Sequence, residues 1–390
     1  MKTKIGIFFG GNSVEHEVSI ISALQAYHAI DHEKYDVLPI YITKDNKMYV
    51  GFDIGNIENY KNIDLLIERS QRVILVSEHN QVRLIKYPLH IFSKSYDYLD
   101  LAFPIVHGSN VEDGTLISMF KMVNLPFVGS DIVASAVGID KQIMKDVLKS
   151  HDLPVLDYLS FNRHDYNIGI EDIIHRALEK LGYPLIIKPA NLGSSIGITK
   201  VNNKKEFIQA IDYAFEFTNK IIVERCITNL REINCSVLGN YDGAIASECE
   251  EPILSHDILS YEDKYLNKNS KSKGMTSLNR KLPADISASL KKEIQDYAIK
   301  TFDILGCSGV TRIDFILEGK KVYINEINTI PGSLSFYLWK ESGIEYPELL
   351  DRLIKAAIKE NQNKQKIISS FESNILSNLN PNSLKNSGKK

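Results

Sequence analysis

The sequence predicts an α/β (α+β) protein of several domains that opens on a parallel sheet. Three observations carry this. An apolar run at residues 5–9 meets the glycine pair Gly10-Gly11 and then a helical pattern, the order of a strand, a turn and a helix. Strand patterns at 36–43 and 98–107 follow with helical stretches between them, the alternation that parallel βαβ packing requires. From residue 183 onward, strand patterns crowd together and end in a hairpin at 309–328. At 390 residues and 44.1 kDa the chain has room for two or three domains of ~150 residues each.

In chain order, the strand 5–9 is buried and Asn12 or Ser13 caps a helix running to about Ile30. Val14, Val18, Ile21 and Leu24 form its inward stripe. With the strands 36–43 and 98–107 this makes a first domain over 1–130. A helix starts near Asp140. A strand at 183–190, the loop Asn191-Leu192-Gly193-Ser194-Ser195, a strand from Ile196 to Val201, a helix at 205–217 and a strand at 220–227 make a small second unit, 131–230. Residues 232–254 are strand-like. The polar stretch 255–282 is too long for a plain connection and reads as a lid or a disordered segment. A helix at 284–305, a hairpin turning near Glu318-Gly319 and a helix at 346–359 complete a third unit, 231–360. The Asn-, Ser- and Lys-rich residues 361–390 read as a disordered extension.

Composition narrows the function. Hydrophobic residues at 44% and charged residues at 24% exclude a disordered or fibrous chain. The net charge of −3 gives no general affinity for nucleic acid or anionic membranes. No apolar run approaches the ~18 residues that span a bilayer. Cys226, Cys235, Cys249 and Cys307 form no CxxC pair, which argues against structural zinc or a disulfide framework and for reduced thiols in a cytoplasm. The first strand is not followed by Gly-x-Gly-x-x-Gly, and the Walker A spacing is absent.

Three constellations carry chemistry. In the hairpin 309–328, Arg312 with Asp314 and Glu326 with Asn328 stand two apart, so each pair shares a face, and Ile313, Phe315 and Ile327 face the core. A register centred near Gly319 sets Asp314 diagonal to Glu326, within reach of one ion. Carboxylates with an amide suit Mg²⁺, which takes its other ligands from water and phosphate. The alternative is a salt-bridge ladder on a surface hairpin. Lys188 with Gly193-Ser194-Ser195-Ile196-Gly197 offers a glycine loop and a cation to phosphate, or is a plain hairpin turn. Lys141 is a further phosphate contact or an exposed helical lysine. Glu15 and Glu17 sit in a first helical turn, where the dipole favours them. Glu15 could equally hold a substrate ammonium beside the glycine turn, and His107 is a packed histidine or a substrate contact.

Together these segments resemble the D-alanine–D-alanine ligase family of the ATP-grasp superfamily. The resemblance rests on Gly10-Gly11-Asn12-Ser13-Val14-Glu15-His16-Glu17-Val18-Ser19, His107-Gly108 with Glu112-Asp113-Gly114-Thr115, Gly129-Ser130 with Ala134-Ser135-Ala136, and Asp140-Lys141. It rests also on Lys188-Pro189-Ala190-Asn191-Leu192-Gly193-Ser194-Ser195, Tyr261-Glu262-Asp263-Lys264-Tyr265, Arg312-Ile313-Asp314 and Asn325-Glu326-Ile327-Asn328-Thr329-Ile330-Pro331-Gly332. They stand in the family's order over about residues 1–360.

The resemblance implies a three-domain ATP-grasp fold whose N-terminal parallel-sheet domain precedes the grasp, with ATP held between the central and C-terminal units. It implies that one D-alanine carboxylate is phosphorylated by ATP and that the amine of a second D-alanine attacks the acyl phosphate, for peptidoglycan precursor synthesis. By position, Glu15 would bind the first substrate's ammonium and join Ser194 and Tyr265 in fastening the lid. His107 would lie near the first carboxylate, and Arg312 with the N–H of Gly332 would form the oxyanion site. Lys141, Lys188, Ser195 and Lys264 would contact phosphates; Glu224 and Glu232 would meet adenine and ribose. Asp314, Glu326 and Asn328 would bind one or two Mg²⁺ or Mn²⁺ ions. Tyr337 and Leu338 would line the second substrate's place. A homodimer is common in the family.

Two departures stand out. Val111 replaces a usual glycine, and Tyr337 stands where a serine is common. The second leaves the acceptor open between D-alanine and another partner such as D-serine or D-lactate. Tyr265 argues against D-lactate. A nucleotide-binding regulator without turnover is disfavoured by the intact Arg312, Asp314, Glu326 and Asn328.

Overall fold

A computed structural model describes residues 2–79, 81–89, 94–194, 196–253, 280–368, 370–371, 373 and 377. Tyr265, Lys264, Ser195, most of the expected lid and most of the expected tail lie outside the described residues.

The first sheet has seven strands: β1 (Thr3–Gly10), β2 (Tyr35–Ile42), β3 (Met48–Val50), β4 (Gln71–Glu78), β5 (Gln81–Lys86), β6 (Ser95–Leu99) and β7 (Leu101–Pro104), in the order β6-β5-β4-β3-β2-β1-β7. β1 runs parallel to both neighbours, with Ile5 opposite Val37 and Leu101. This is the parallel sheet that the strand–helix alternation predicts. The antiparallel extension from β3 to β6 was not read from the sequence, because β4 and β5 are half-buried and carry charged residues between their apolar ones. The expected strand at 98–107 is two short strands broken at Asp100.

Alternation along β1 sends Ile5, Ile7 and Phe9 into one core layer and Phe8 into the other. Phe8 meets Phe120 at 4.7 Å between ring centroids. The helix His16–Ala29 packs on the first layer through Ile20, Ala23 and Leu24. Val14 and Ile21 face solvent, contrary to the expected stripe. The helix is covered on a second side by residues 332–335, where Ser22 is buried, and Ser19 is buried against Gly10 and Ile105.

The second sheet is antiparallel, β8 (Tyr158–Asn162), β9 (Leu185–Pro189), β10 (Thr199–Val201) and β11 (Lys220–Arg225), in the order β10-β9-β11-β8. The helix Arg163–Leu181 covers it, entered through a capping box of Asn162 and Asp165. That helix is missing from the elements read above, since Gly169 interrupts it and its buried stripe is only Ile173, Ile174 and Ala177.

The third sheet is β12 (Arg231–Asn240), β13 (Gly243–Pro252), β14 (Arg280–Lys281), β15 (Gly309–Glu318) and β16 (Lys321–Asn328), ordered β14-β13-β12-β15-β16. The helix Ala288–Ile304 packs behind it from a Ser287 cap. Met144 and Leu148, from the helix Lys141–Ser150, enter the core of this third sheet. The last helix, Tyr346–Lys364, runs five residues past its expected end and returns to the first sheet, where Leu349, Leu350 and Ile354 join the cluster of Ile5 and Ile7. Segments near the chain's two ends therefore share one core, which Leu238 and Val310 of the third sheet also enter.

Candidate active site

The hairpin β15–β16 supplies the acidic set. Its register pairs Arg312 with Asn328, Ile313 with Ile327 and Asp314 with Glu326, then slips so that Phe315 faces Ile324. The slip is a β-bulge at Asn325. It changes the phase of burial on β16 from Val322 and Ile324 to Ile327. Glu326 therefore stands directly opposite Asp314; without the bulge, the pairing of Phe315 with Ile324 would have continued to Asp314 with Asn325 and set Glu326 opposite Ile313, on the other face. Both Asp314 oxygens are gripped by Arg312, Nε and the terminal nitrogen each at 2.6 Å, and Asn328 donates to Asp314 at 3.2 Å. Lys141 Nζ lies 3.2 Å from Glu326 Oε2.

The second group gathers around Glu15, at the entry of the helix His16–Ala29. Ser194, from the loop after β9, donates its hydroxyl to Glu15. Two glycines make room for that carboxylate. A Cβ on Gly193 would stand 2.9 Å from Glu15 Oε2, and one on Gly108, whose φ is +84°, would stand 2.8 Å from the same oxygen. Glu112 lies alongside, accepting from the N–H groups of Gly108 and Ile330, each at 3.0 Å. Burial, and then the charge of Glu15, push its carboxyl up to about 7 against those hydrogen bonds.

His107 is buried, which pushes it down to about 4, so the ring is neutral. Its Nδ1 lies 2.9 Å from the Ile330 carbonyl and must be the protonated nitrogen, leaving Nε2 to accept from Ser22 at 3.0 Å. The Ser22 oxygen in turn accepts from the N–H of Ser333 at 2.9 Å. These bonds hold the turn after Gly332, where Ser333, Leu334 and Ser335 all adopt left-handed φ of 50–52°. Such conformations cost non-glycine residues about 1–3 kcal/mol each and persist only where neighbours impose them.

The third group is cationic. Lys188 on β9 lies 2.7 Å from Glu224 on β11 and 3.2 Å from the Asn325 amide oxygen that the bulge exposes. Lys145, fully buried, approaches Glu224 from the other side at 2.7 Å. Burial alone would raise the Glu224 carboxyl, but Lys145 and Lys188 outweigh it and hold it down to about 2. Lys141 donates to the Leu192 carbonyl at 2.7 Å.

One open cavity collects these pieces. Glu15, His107, Ser194, Glu232, Arg312, Glu326, Asn328, Gly332 and Tyr337 line it, and Lys141 lines an adjoining hollow with Glu15 and Glu326. Lys188, Glu224 and Asp314 are not among the residues that line it, and Leu338 is wholly buried in the helix Phe336–Glu341. Sequence reasoning assigned nothing to Glu112, Lys145, Asn234, Glu250 or Arg280. Lys145 could have been found, one helical turn after Lys141; the others meet only across strands and sheets. Among the described residues no three His, Cys, Asp or Glu gather as a closed metal cage. Two carboxylates and an amide fit a hard divalent cation that completes its shell with phosphate and water.

The chain is similar to known proteins over most of its length. The family described as D-ala D-ala ligase N-terminus matches residues 4–130, and D-ala D-ala ligase C-terminus matches residues 147–355. The D-alanine–D-alanine ligase of Thermosipho melanesiensis is 40% identical over 373 residues, 95% of this chain and 98% of that protein. The solved D-alanine-D-alanine ligase from Coxiella burnetii superposes with a TM-score of 0.78 at 31% identity, covering 94% of this chain and 97% of that one. The VanG D-Ala:D-Ser ligase from Enterococcus faecalis gives 0.76 at 31%, covering 92% and 100%.

Proposed function

The chain belongs to the D-alanine–D-alanine ligase family, and from that premise we propose how its own residues carry out the reaction. The enzyme joins two D-alanines to D-alanyl-D-alanine at the expense of ATP, a step of peptidoglycan precursor synthesis. The observation that supports the residue roles best is one cavity lined by Glu15 together with Arg312, Glu326 and Asn328.

Glu15, oriented by Ser194, takes the ammonium of the first D-alanine. That leaves its carboxylate to attack the γ-phosphate of ATP, giving an acyl phosphate and ADP. The neutral His107 lies near that carboxylate and fixes the turn that presents the Gly332 N–H. Arg312 and that N–H receive the oxyanion when the acceptor amine adds to the activated carbonyl, and phosphate then leaves. Arg312 is oriented by its two bonds to Asp314. Lys141 and Lys188 exchange their carboxylate partners for phosphate oxygens when nucleotide binds. Glu224 and Glu232 meet adenine and ribose. Asp314, Glu326 and Asn328 would hold one or two Mg²⁺ or Mn²⁺ ions, whose charge would offset that of the phosphates. Ser195, Lys264 and Tyr265 keep the phosphate and lid roles that the resemblance gives them. Tyr337 belongs to the acceptor side.

Purified protein with ATP, Mg²⁺ and D-alanine should give dipeptide and equimolar phosphate. No D-alanine-stimulated phosphate release would overturn the assignment. Mass spectrometry of products from a panel with D-serine and D-lactate checks the acceptor. Among the described residues no helix is long and apolar enough to cross a membrane. We place the enzyme in the cytoplasm as a homodimer, which fractionation and light scattering test.

A further inference from the structure

We infer that Arg280, held in place by Glu250 and Tyr337, receives the carboxylate of the acceptor amino acid and so decides what the second site admits. The inference rests on the ligase reading above and adds a residue to it.

The order of the third sheet gives the cavity a direction. Glu326 and Asn328 lie on β16, Arg312 on β15, Asn234 on β12, Glu250 on β13 and Arg280 on β14. Phosphates belong at the β16 side, with the acidic residues that a divalent ion would use. The activated carbonyl sits at Arg312. The acceptor's amine needs a place beside that carbonyl which the phosphates do not fill, and it lies toward β13 and β14. An acceptor amino acid brings a carboxylate there, and a carboxylate leaving water needs a cation. The cationic side chains lining the cavity, among the described residues, are Arg280 and Arg312. Arg312 already presents its forked edge to Asp314 through two bonds of 2.6 Å. Arg280 is the cation on the acceptor side.

Its setting is a built one. The guanidinium lies 4.0 Å from the centre of the Tyr337 ring, and one terminal nitrogen is 2.8 Å from Glu250 Oε2. The other Glu250 oxygen accepts from the Tyr337 hydroxyl at 2.8 Å and from Asn234 at 3.2 Å. Glu250 is 2% exposed. Stacking fixes the plane of the guanidinium and Glu250 fixes its rotation. A planar fork with five donors can serve a second carboxylate while keeping the first. This also gives a physical reason for Tyr337 where a small hydroxyl residue is usual: its ring is the platform of a cation that a serine could not support. A neutral acceptor end, such as a carboxamide, would bring no second carboxylate to this fork.

The test separates the two half-reactions. Hydroxylamine traps the acyl phosphate of the first D-alanine as a hydroxamate, while dipeptide formation needs the acceptor as well. D-alaninamide serves as the acceptor without a carboxylate. Wild-type enzyme should form hydroxamate and prefer D-alanine to D-alaninamide. Arg280→Gln should form hydroxamate with the same dependence on ATP and D-alanine. Its acceptor KM should rise roughly 10- to 100-fold, the usual range for a lost charge-assisted hydrogen bond, and its preference over D-alaninamide should collapse. Tyr337→Phe, which keeps the platform and loses the bond to Glu250, should show a smaller defect confined to the acceptor. Unchanged acceptor KM and preference in Arg280→Gln overturn the inference. So does parallel loss of hydroxamate and dipeptide in that variant, unless Arg280→Lys, which keeps the charge without the fork, shows the acceptor-only defect. Wild-type enzyme that forms no hydroxamate refutes the ligase reading itself, a distinct result.

Discussion

Lys145→Met removes the fully buried cation that faces Glu224 and keeps the length of its stem. The pair joins two bodies, because Lys145 lies on a helix rooted in the third sheet's core and Glu224 lies on β11 of the second. Holding the Glu224 carboxyl near 2, against an ordinary value of 4.5, is worth about 3 kcal/mol at neutral pH, shared between two lysines. Losing one partner of a buried pair costs about 3–5 kcal/mol, and Lys188 softens that here. Lys145→Met should therefore lose roughly 2–3 kcal/mol. Glu224→Gln should lose more, since it leaves two lysines without their carboxylate. The contribution is complete above the unfolded value near 4.5 and disappears as pH falls toward 2, so acid unfolding of Lys145→Met should begin at higher pH than that of wild type. Urea unfolding of wild type, both single variants and the double variant gives the coupling directly. A coupling energy below about 0.5 kcal/mol would refute the reasoning, because then the 2.7 Å contact does no more than fill space.

Glu112→Gln tests the opposite sign. Because burial raises the Glu112 carboxyl to about 7, its stabilising contribution is complete below about pH 4.5 and falls as pH rises through 7. The amide variant without ligands should be more stable than wild type at pH 8 by roughly 1–3 kcal/mol and nearly equal to it at pH 5, which thermal melts across that range will check. Gly193→Ala puts a methyl 2.9 Å from Glu15 Oε2. It should raise the KM of the first D-alanine about tenfold or more and leave the melting temperature within about 2 °C, as read from hydroxamate kinetics and calorimetry. Trp339, the single tryptophan, is fully buried and donates to Ser236 at 3.0 Å. Trp339→Phe should cost about 2–3 kcal/mol in denaturant titrations through the lost bond and the space left behind.

Local patterns disclosed a good deal of this molecule. Strand β1, its glycine turn and the following helix were legible because burial on a parallel sheet demands an unbroken apolar run. The hairpin of Arg312, Asp314, Glu326 and Asn328 was legible because period-two spacing survives in the sequence. The ordered motifs then disclosed the family. The face of the helix His16–Ala29 was misread at Val14 and Ile21, since what covers a helix is decided by segments far along the chain. The strands β4 and β5 went unread because half-buried strands mix apolar and charged residues.

What only the tertiary structure decided is how distant groups meet. The bulge at Asn325 set Glu326 squarely against Asp314 and handed an amide oxygen to Lys188. No spacing rule places Glu112 beside Glu15, Lys145 against Glu224, or Arg280 over the ring of Tyr337. Those contacts join loops, helices and strands that lie far apart along the chain. Sequence fixes a side chain's neighbours only over the few residues that backbone periodicity reaches. Beyond that range, the packing of the sheets and helices on their separate cores determines which charges must answer one another.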